Sequence, residues 1–494
     1  MAKYRFIAFV LLPGPLLAAG ARGDDRAALL ADAVEKQDRD RFDVLFKQGV
    51  DVNAAQVDGM TALHWAAQHA DIEIARRLVA AKADVQASNR YGVRPLSLAC
   101  GNAAPELVEL LLAAGADPNA ALPGGETALM TASRTGVLGS VRSLLARGAD
   151  VNAKERNGQT ATMWAAAEGH ADVVYALIQA GADFRSPLAS GFTPLFFAAR
   201  DGRSEVVQVL LRAGANVNEP MRPNKSGGKS PRHGASPLIM AVENGHFELA
   251  VDLLKAGADP NDQRSGFAAL HVISWVRKPN RGDDPDGDPP PIGSGNMTSL
   301  QFVRELARRG ANVNLRLDRG ASGRGRLNRT GATPFLLAAD TADLPLMRLL
   351  VELGADPTIP NADHATPLMA AAGLGTMAPD EEAGTEPEMI EAVKYLIELG
   401  ADVNAVDDNG ETAVHGAAYN NAPSVVDLLV ARGARVAVWN RKNKYGWTPL
   451  VIAEGYRPGN FKPSPETVAA IKRAMRAAGV LLHGDADEPT KCCD

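Results

Sequence analysis

Gly59-Met-Thr-Ala-Leu-His-Trp-Ala-Ala67 reads as the start of a short apolar helix: the Thr61 hydroxyl is placed to cap free N–H groups, and no breaker follows it. The phrase returns as Gly125-Glu-Thr-Ala-Leu129, Gly158-Gln-Thr-Ala-Thr162, Gly191-Phe-Thr-Pro-Leu195, Gly234-Ala-Ser-Pro-Leu238, Gly331-Ala-Thr-Pro-Phe335, Gly410-Glu-Thr-Ala-Val-His415 and Gly446-Trp-Thr-Pro-Leu450. Weaker copies sit at Gly92-Val-Arg-Pro-Leu96, Gly266-Phe-Ala-Ala-Leu-His271 and His364-Ala-Thr-Pro-Leu368. The Thr-equivalent positions are 61, 94, 127, 160, 193, 236, 268, 333, 366, 412 and 448; the first four intervals and the step from 333 to 366 are all 33. Such a period means a stack of similar units rather than the roughly three separate domains that a chain of this length suggests.

Each unit has a physical reading. Thr then Pro before an apolar run starts a helix, since Pro is tolerated at the first helical position. A small polar step, as in Glu168-Gly169-His170 or Asn244-Gly245-His246, breaks it, and a second apolar helix such as Val173-Val174-Tyr-Ala-Leu177-Ile178 runs back antiparallel. Gly then ends that helix in a left-handed conformation, and Asp/Asn build the turn to the next unit, as in Gly148-Ala-Asp150-Val-Asn152 and Gly257-Ala-Asp259-Pro-Asn261.

A 33-residue unit of a turn and two helices, opening on a Thr-Pro-Leu-His-x-Ala phrase, resembles the ankyrin repeat. The resemblance covers about residues 24 to 482 and implies an all-α solenoid of about twelve units with finger loops. Residues 22–57 read as a polar N-terminal capping unit, 58–445 as the repeats, 446–482 as the C-terminal cap and 483–494 as a polar tail. His64, His271 and His415 fall where the family uses imidazole to link neighbouring loops; His170 and His246 fall at its Gly-His break.

Positions 61 to 448 span 57 residues more than ten intervals of 33 would occupy. Insertions at about 219–233, 315–330 and 435–445 follow the Gly-Ala-Asp turn and are expected to lengthen the fingers beside the concave face. Those at about 277–297, 373–388 and 454–466 fall between the two helices and are expected to project from the opposite rim. The finger insertions are basic (Arg222, Lys225, Lys229, Arg232, Arg316, Arg319, Arg324, Arg326, Arg329, Arg435, Arg441, Lys442, Lys444), whereas the rim insertions are mixed to acidic.

Ankyrin repeats are usually protein-binding scaffolds that meet partners at the finger tips and the exposed side of the first helices. The family's contact positions fall here on Arg90, Tyr91, Gln68, His69, Arg156, Asn157, Phe192, Arg200, Arg264, Phe267, Trp275, Trp439, Lys444, Tyr445 and Trp447, a set rich in the Arg and aromatic residues that anchor interfaces. For Trp439 and Trp447, covering the open end of the stack is the competing role.

Motifs for chemistry do not assemble. Gly227-Gly-Lys-Ser230 lacks the earlier Gly of a phosphate loop, and Asp284-Pro-Asp-Gly-Asp288 carries Pro289 where a calcium loop needs Gly. No catalytic, cofactor or metal residue is assigned. Lys3 and Arg5 precede an apolar run from Phe6 to Leu17 and a small-residue end at Ala19-Gly20-Ala21, the pattern of a signal peptide over 1–21. Removing it leaves 50 of the 52 basic residues against 58 acidic, a formal charge of −8 that disfavours nucleic acid. Three cysteines cannot form a complete disulfide framework: Cys100 sits in an apolar helix and Cys492-Cys493 in the tail.

The expectation is an exported, monomeric, non-catalytic protein-binding scaffold, in the bacterial periplasm or secreted. Two alternatives stand beside it: a small-molecule- or metal-binding, even enzymatic, protein with the inserted loops as lids, and a secreted effector acting on a host protein.

Overall fold

The computed structural model describes residues 28–224, 233–281, 289–320, 326–379, 381–456 and 463–480. The signal-peptide reading of 1–21, the acidic loop 283–288, Lys225, Lys229, Arg232, Arg324 and Cys492-Cys493 lie outside these residues. Among the described residues there are twenty-five helices, twelve antiparallel pairs and the short turn Val436–Trp439, and no strand; β pairing is confined to isolated bridge residues, Ala121 with Thr127, and Arg326. None of these helices is long and apolar enough to cross a membrane.

The chain divides into two compact units, Met1–Asp150 and Val151–Asp494. The sequence reads as one uninterrupted stack here, because 33-residue spacing runs straight through Asp150. In a repeat stack each unit packs only on its neighbours, so period alone does not reveal where the chain divides.

Within the first unit, helix pairs run from Leu29–Glu35 and Arg39–Lys47 to Ala128–Thr135 and Leu138–Ala146. Within the second, they run from Ala161–Glu168 and Ala171–Gln179 to Pro449–Ala453 and Pro465–Ala477. First helices pack on first helices of the adjoining pairs, and second helices on second helices. This makes two layers, and the core lies between them: Leu195, Phe196, Val206, Leu210, Leu238 and Leu253 are all buried.

The local reasons are those the repeated phrase suggests. Thr61, Thr127, Thr160, Ser236, Thr333, Thr366 and Thr448 each accept a hydrogen bond from the backbone N–H three residues on, closing the first turn of their helix. His64 Nδ1 accepts from the Thr61 amide at 3.2 Å while Nε2 donates to the Val93 carbonyl of the next finger at 3.1 Å. His271 does the same with Ala268 and Leu315, at 3.3 and 2.9 Å. Burial drives the pKa of His271 and His415 down to about 4, so both are neutral: His271 links two fingers, and His415 accepts from the Thr412 amide at 3.2 Å.

A second set of links runs through the turn asparagines, which the sequence reading treats only as turn formers. Asn152 Oδ1 accepts from the Asp183 amide at 2.7 Å and its Nδ2 donates to the Gly181 carbonyl at 3.2 Å, tying one turn to the next. Asn218, Asn261, Asn314 and Asn404 repeat the pattern through the second unit, and Asn119 makes it in the first. The signal was legible in the recurring Asp-x-Asn, since a turn satisfied by Asp alone needs no second amide.

The insertions do not simply project. Residues 293–296 fold back on the break at Gly245-His246: Ser294 N donates to His246 Nδ1 at 2.8 Å and Asn296 N to Glu248 Oε1 at 2.8 Å. Arg277 reaches the fully buried Asp343 at 2.7 Å, and Lys278 pairs with Glu388.

Candidate functional site

The first helices of the second unit form one face, the inner face, flanked by the fingers. The positions equivalent to Trp65 are Trp164, Phe197, Met240, Val272, Leu337, Ala370, Gly416 and Ile452. Aligned this way, most of these positions are sealed: Phe197, Met240, Val272, Leu337 and Ala370 are 7%, 8%, 0%, 2% and 0% exposed. The open section is the stretch where Trp164, Phe192 and Arg200 stay half-buried.

On the open section, Phe192 stands at the finger base with its ring 5.0 Å from that of Phe197 and 6.3 Å from that of Phe196. The Arg200 guanidinium lies over Phe192 and Phe197 at 5.4 and 5.1 Å and is held in plane by Asp201, at 2.7 Å. A cation clamped between an acid and two rings is a rigid, amphipathic contact point. Phe267 and Trp275 form a second group, edge to face at 4.8 Å. Arg156 and Asn157 are exposed at a finger tip, where Asn157 is bonded to Glu155. Arg264 is exposed but already engaged, donating to Asp262 and, at 2.7 Å, to the Asn218 carbonyl.

Near the end of the unit, Asn443 holds the amides of Tyr445 and Trp447 at 3.0 Å each, setting their rings 5.2 Å apart with Lys444 5.2 Å from the Tyr445 ring. Trp439 differs: it is 1% exposed and fills the stack, so of its two sequence readings the covering role fits and the contact role does not. Its surrounding turn, Val436–Trp439, is helical, which turns the indole inward.

In the first unit, Arg90 lies over the exposed Tyr91 ring at 4.8 Å. Gln68 is exposed. His69 stacks on Trp65 at 5.9 Å, and its Nε2 donates to the Glu35 carbonyl at 3.1 Å. The contact positions thus fall into small separate clusters, each built inside one repeat or its neighbour, rather than into one patch.

The basic fingers keep much of their charge at the surface: Arg222, Arg316, Arg319, Arg326, Arg435, Arg441, Lys442 and Lys444 are exposed. Arg329 is not among them. It pairs with Asp340 at 3.5 Å, and the 326–327 backbone runs so close to Gly375 that a Cβ there would sit 2.1 Å from Leu327 N. Residues 326–327 therefore do not stay beside the inner face; they reach Gly375, at the start of the 373–388 insertion. Leu317 and Leu327, both buried, are the reason, since apolar side chains in a loop leave water where a surface can take them.

Between the last fingers lies a buried polar cluster that sequence reasoning missed. Glu411 accepts from Tyr419 Oη at 2.7 Å and from Asn443 Nδ2 at 2.7 Å, and Asp407 accepts from the Glu411 amide. Burial pushes the Glu411 carboxyl up to about 7, with Asp407 adding to the rise, and burial likewise raises Asp407. Every partner here is internal, so the cluster pins the finger bases together. Position 411 is Glu in two fingers, at 126 and 411, and Gln, Phe or Trp in others, so no spacing signal marked it.

The family model for ankyrin repeats (3 copies) matches residues 30–122, 100–188, 129–221, 187–264 and 383–461. Ankyrin repeat and SAM domain-containing protein 6 of Rattus norvegicus is 32% identical over 182 residues, covering 36% of this chain and 18% of that protein. Neurogenic locus notch homolog protein 1 of Xenopus tropicalis is 33% identical over 158 residues, covering 28% of this chain and 6% of that protein. The matched segments thus span less than a fifth of the length of these curated relatives.

Proposed function

The chain belongs to the ankyrin repeat family, and from that premise we propose that it is a non-catalytic scaffold binding another protein through the open section of the second unit's inner face and the basic fingers beside it. The observation that carries this reading is the Phe192–Phe197–Arg200 group. Its members are held by ring contacts and the Arg200–Asp201 pair on a helix begun by Pro194 before any partner arrives, so binding incurs little ordering cost. Exposed cations on neighbouring fingers would steer an acidic or extended partner and make association salt-dependent.

Against an enzymatic reading stands the use already made of the titratable groups: His64, His271, His415 and Glu411 are spent on linking and packing. Export of the scaffold is supported by the sequence of residues 1–21 alone, and loss of that stretch in the intact mass of the exported product is its test.

The test of function is affinity capture from the exported fraction by the full mature chain beside Phe192→Ala/Arg200→Ala and Arg222→Glu/Lys444→Glu variants of matched helicity. The reading expects a protein retained by the intact chain at low salt, and at least tenfold less by either variant. Equal retention by all three chains overturns it.

A further inference from the structure

Two fingers of this chain close on the same asparagine turn and differ in what lies beneath it. In one, Asn89 Oδ1 accepts from the amides of Tyr91 and Val93 at 3.0 and 2.9 Å, while its Nδ2 meets the Met60 thioether at 3.5 Å. In the last, Asn443 Oδ1 accepts from the amides of Tyr445 and Trp447 at 3.0 Å each, while its Nδ2 donates to Glu411 Oε1 at 2.7 Å. Met60 and Glu411 hold the same register position, the residue before the threonine that starts the first helix. The turn is common to both fingers; the titratable group under it is not.

Glu411 is 4% exposed and takes two donors on one oxygen, since Tyr419 Oη also reaches Oε1 at 2.7 Å. Burial pushes its carboxyl up to about 7 against the pull of the Tyr419 bond, and Asp407 adds to the rise. Lys444 favours the charged form, but it is exposed, with its ammonium 5.2 Å from the centre of the Tyr445 ring. The other groups around the site add acid or stay neutral. Asp407 Oδ1 accepts from the Glu411 amide at 2.7 Å, and Asp363 of the preceding finger is 3.4 Å from Asn409 Nδ2. Asp408 pairs with His364 at 2.9 Å, and Arg441 and Lys442 are exposed. From the Ala413–Tyr419 helix, burial raises Tyr419 and lowers His415 to about 4, so neither changes charge between pH 6 and 8.

Ionised Glu411 is thus a buried charge beside other acids, and its relief is water. Water reaches it only if Asn443 gives way, and Asn443 is what holds the amides of Tyr445 and Trp447. We propose that the Lys444–Tyr445–Trp447 contact group is gated by one proton: the finger stays closed while Glu411 is protonated and opens when it ionises. A partner then meets an ordered aromatic pair in mildly acidic surroundings and a loosened one in alkaline surroundings. The finger over Met60 has no such dependence. The inference rests on the reading of Lys444, Tyr445 and Trp447 as partner contacts, but its readout is the free chain, so it and the capture experiment above fail separately.

The test is hydrogen exchange of the full chain at pH 6 and pH 8, corrected for the intrinsic pH dependence of exchange. It is read at the Tyr445 and Trp447 amides and, as an internal control, at those of Tyr91 and Val93. Protection of Tyr445 and Trp447 is expected to fall about tenfold between the two pH values, because a carboxyl with a raised folded pKa withdraws its stabilisation as pH rises. Tyr91 and Val93 should not change. The fall should also vanish in Glu411→Gln, a variant that keeps the His364–Asp408 pair and whose Gln already stands at this register as Gln159. Equal protection at both pH values overturns the proposal, and so does the same fall in Glu411→Gln or at Tyr91 and Val93. If Glu411→Gln loses helicity by circular dichroism, Glu411→Met is held to the same criterion. If neither folds, the contrast between the two fingers in the parent chain decides.

Discussion

The Ala161–Glu168 and Pro194–Arg200 helices and the Pro334–Asp340 and Pro367–Ala371 helices are made by the same phrase and the same hydroxyl or proline starts, yet the first pair keeps Trp164 and Arg200 half-buried at its surface, while residues 326–327 run against Gly375 just beyond the second. Trp164 and Leu337 hold equivalent positions; the first is half-buried and the second is sealed. The helices do not differ in kind. What differs is a loop in neither helix, whose Leu327 meets Gly375 from about fifty residues away and is apolar enough to stay. Repeat identity therefore sets the frame, and insertion chemistry sets which part of the frame a partner meets.

The comparison is broken most severely at Gly375. Gly375→Ala is expected to cost about 2–4 kcal/mol in chemical denaturation, from a left-handed residue gaining a Cβ inside the path of residues 326–327. A left-handed glycine with open space around it, Gly181 after the second helix Ala171–Gln179, has nothing within 4 Å, and Gly181→Ala should cost only about 1 kcal/mol. Equal costs would mean that residues 326–327 do not bear on Gly375.

A pH titration sharpens the contrast at the far end of the same unit. Glu411 has a folded pKa raised to about 7 from the ordinary 4.5, so its contribution is fully present below the unfolded value and lost as pH rises through 7. Glu411→Gln should thus be close to neutral at pH 5 and stabilise by about 1–3 kcal/mol at pH 8, if the Tyr419 and Asn443 bonds are kept. A difference that does not change between the two pH values would place Glu411 in a more hydrated setting. His271 and His415 act in the other sense, as both must stay neutral; they withdraw stability as pH falls from 6.5 toward 4, which is why variant-minus-parent differences are the quantity to follow.

The turn asparagines test whether the frame is the same in both regions. Asn152→Ala and Asn314→Ala each remove two links between successive turns and should cost a similar amount, about 1 kcal/mol. A much larger loss at Asn314 would show that the stretch around it depends on its finger ladder more than the open one. Arg222→Glu and Lys444→Glu sit at the small end: exposed charges should move stability by less than about 0.5 kcal/mol while lowering partner capture at low salt.

How far the sequence could be read follows from where the information lies. A helix start, a break and a left-handed turn are local events, so Thr61, Gly169 and Gly148 announce themselves, and their recurrence at 33 carries the fold. Even the role of His64 is legible, since a small motif fixes both of its hydrogen bonds. The contact residues were legible only as a register: Phe192 and Arg200 lie where the period places them, but that Arg200 is sandwiched between rings and Asp201 is a matter of three side-chain rotamers.

The amino-acid sequence by itself determined the paired helices, their order and the fingers, because each depends on contacts within a unit or with the next one. Only the tertiary structure decided that Leu327 meets Gly375 and Arg329 pairs with Asp340, that Trp439 turns inward, and that Glu411 is buried with Tyr419 and Asn443. Those outcomes rest on whether an inserted loop finds an apolar surface and an opposite charge within its reach. That is a property of distance in space, and no spacing along the chain encodes it.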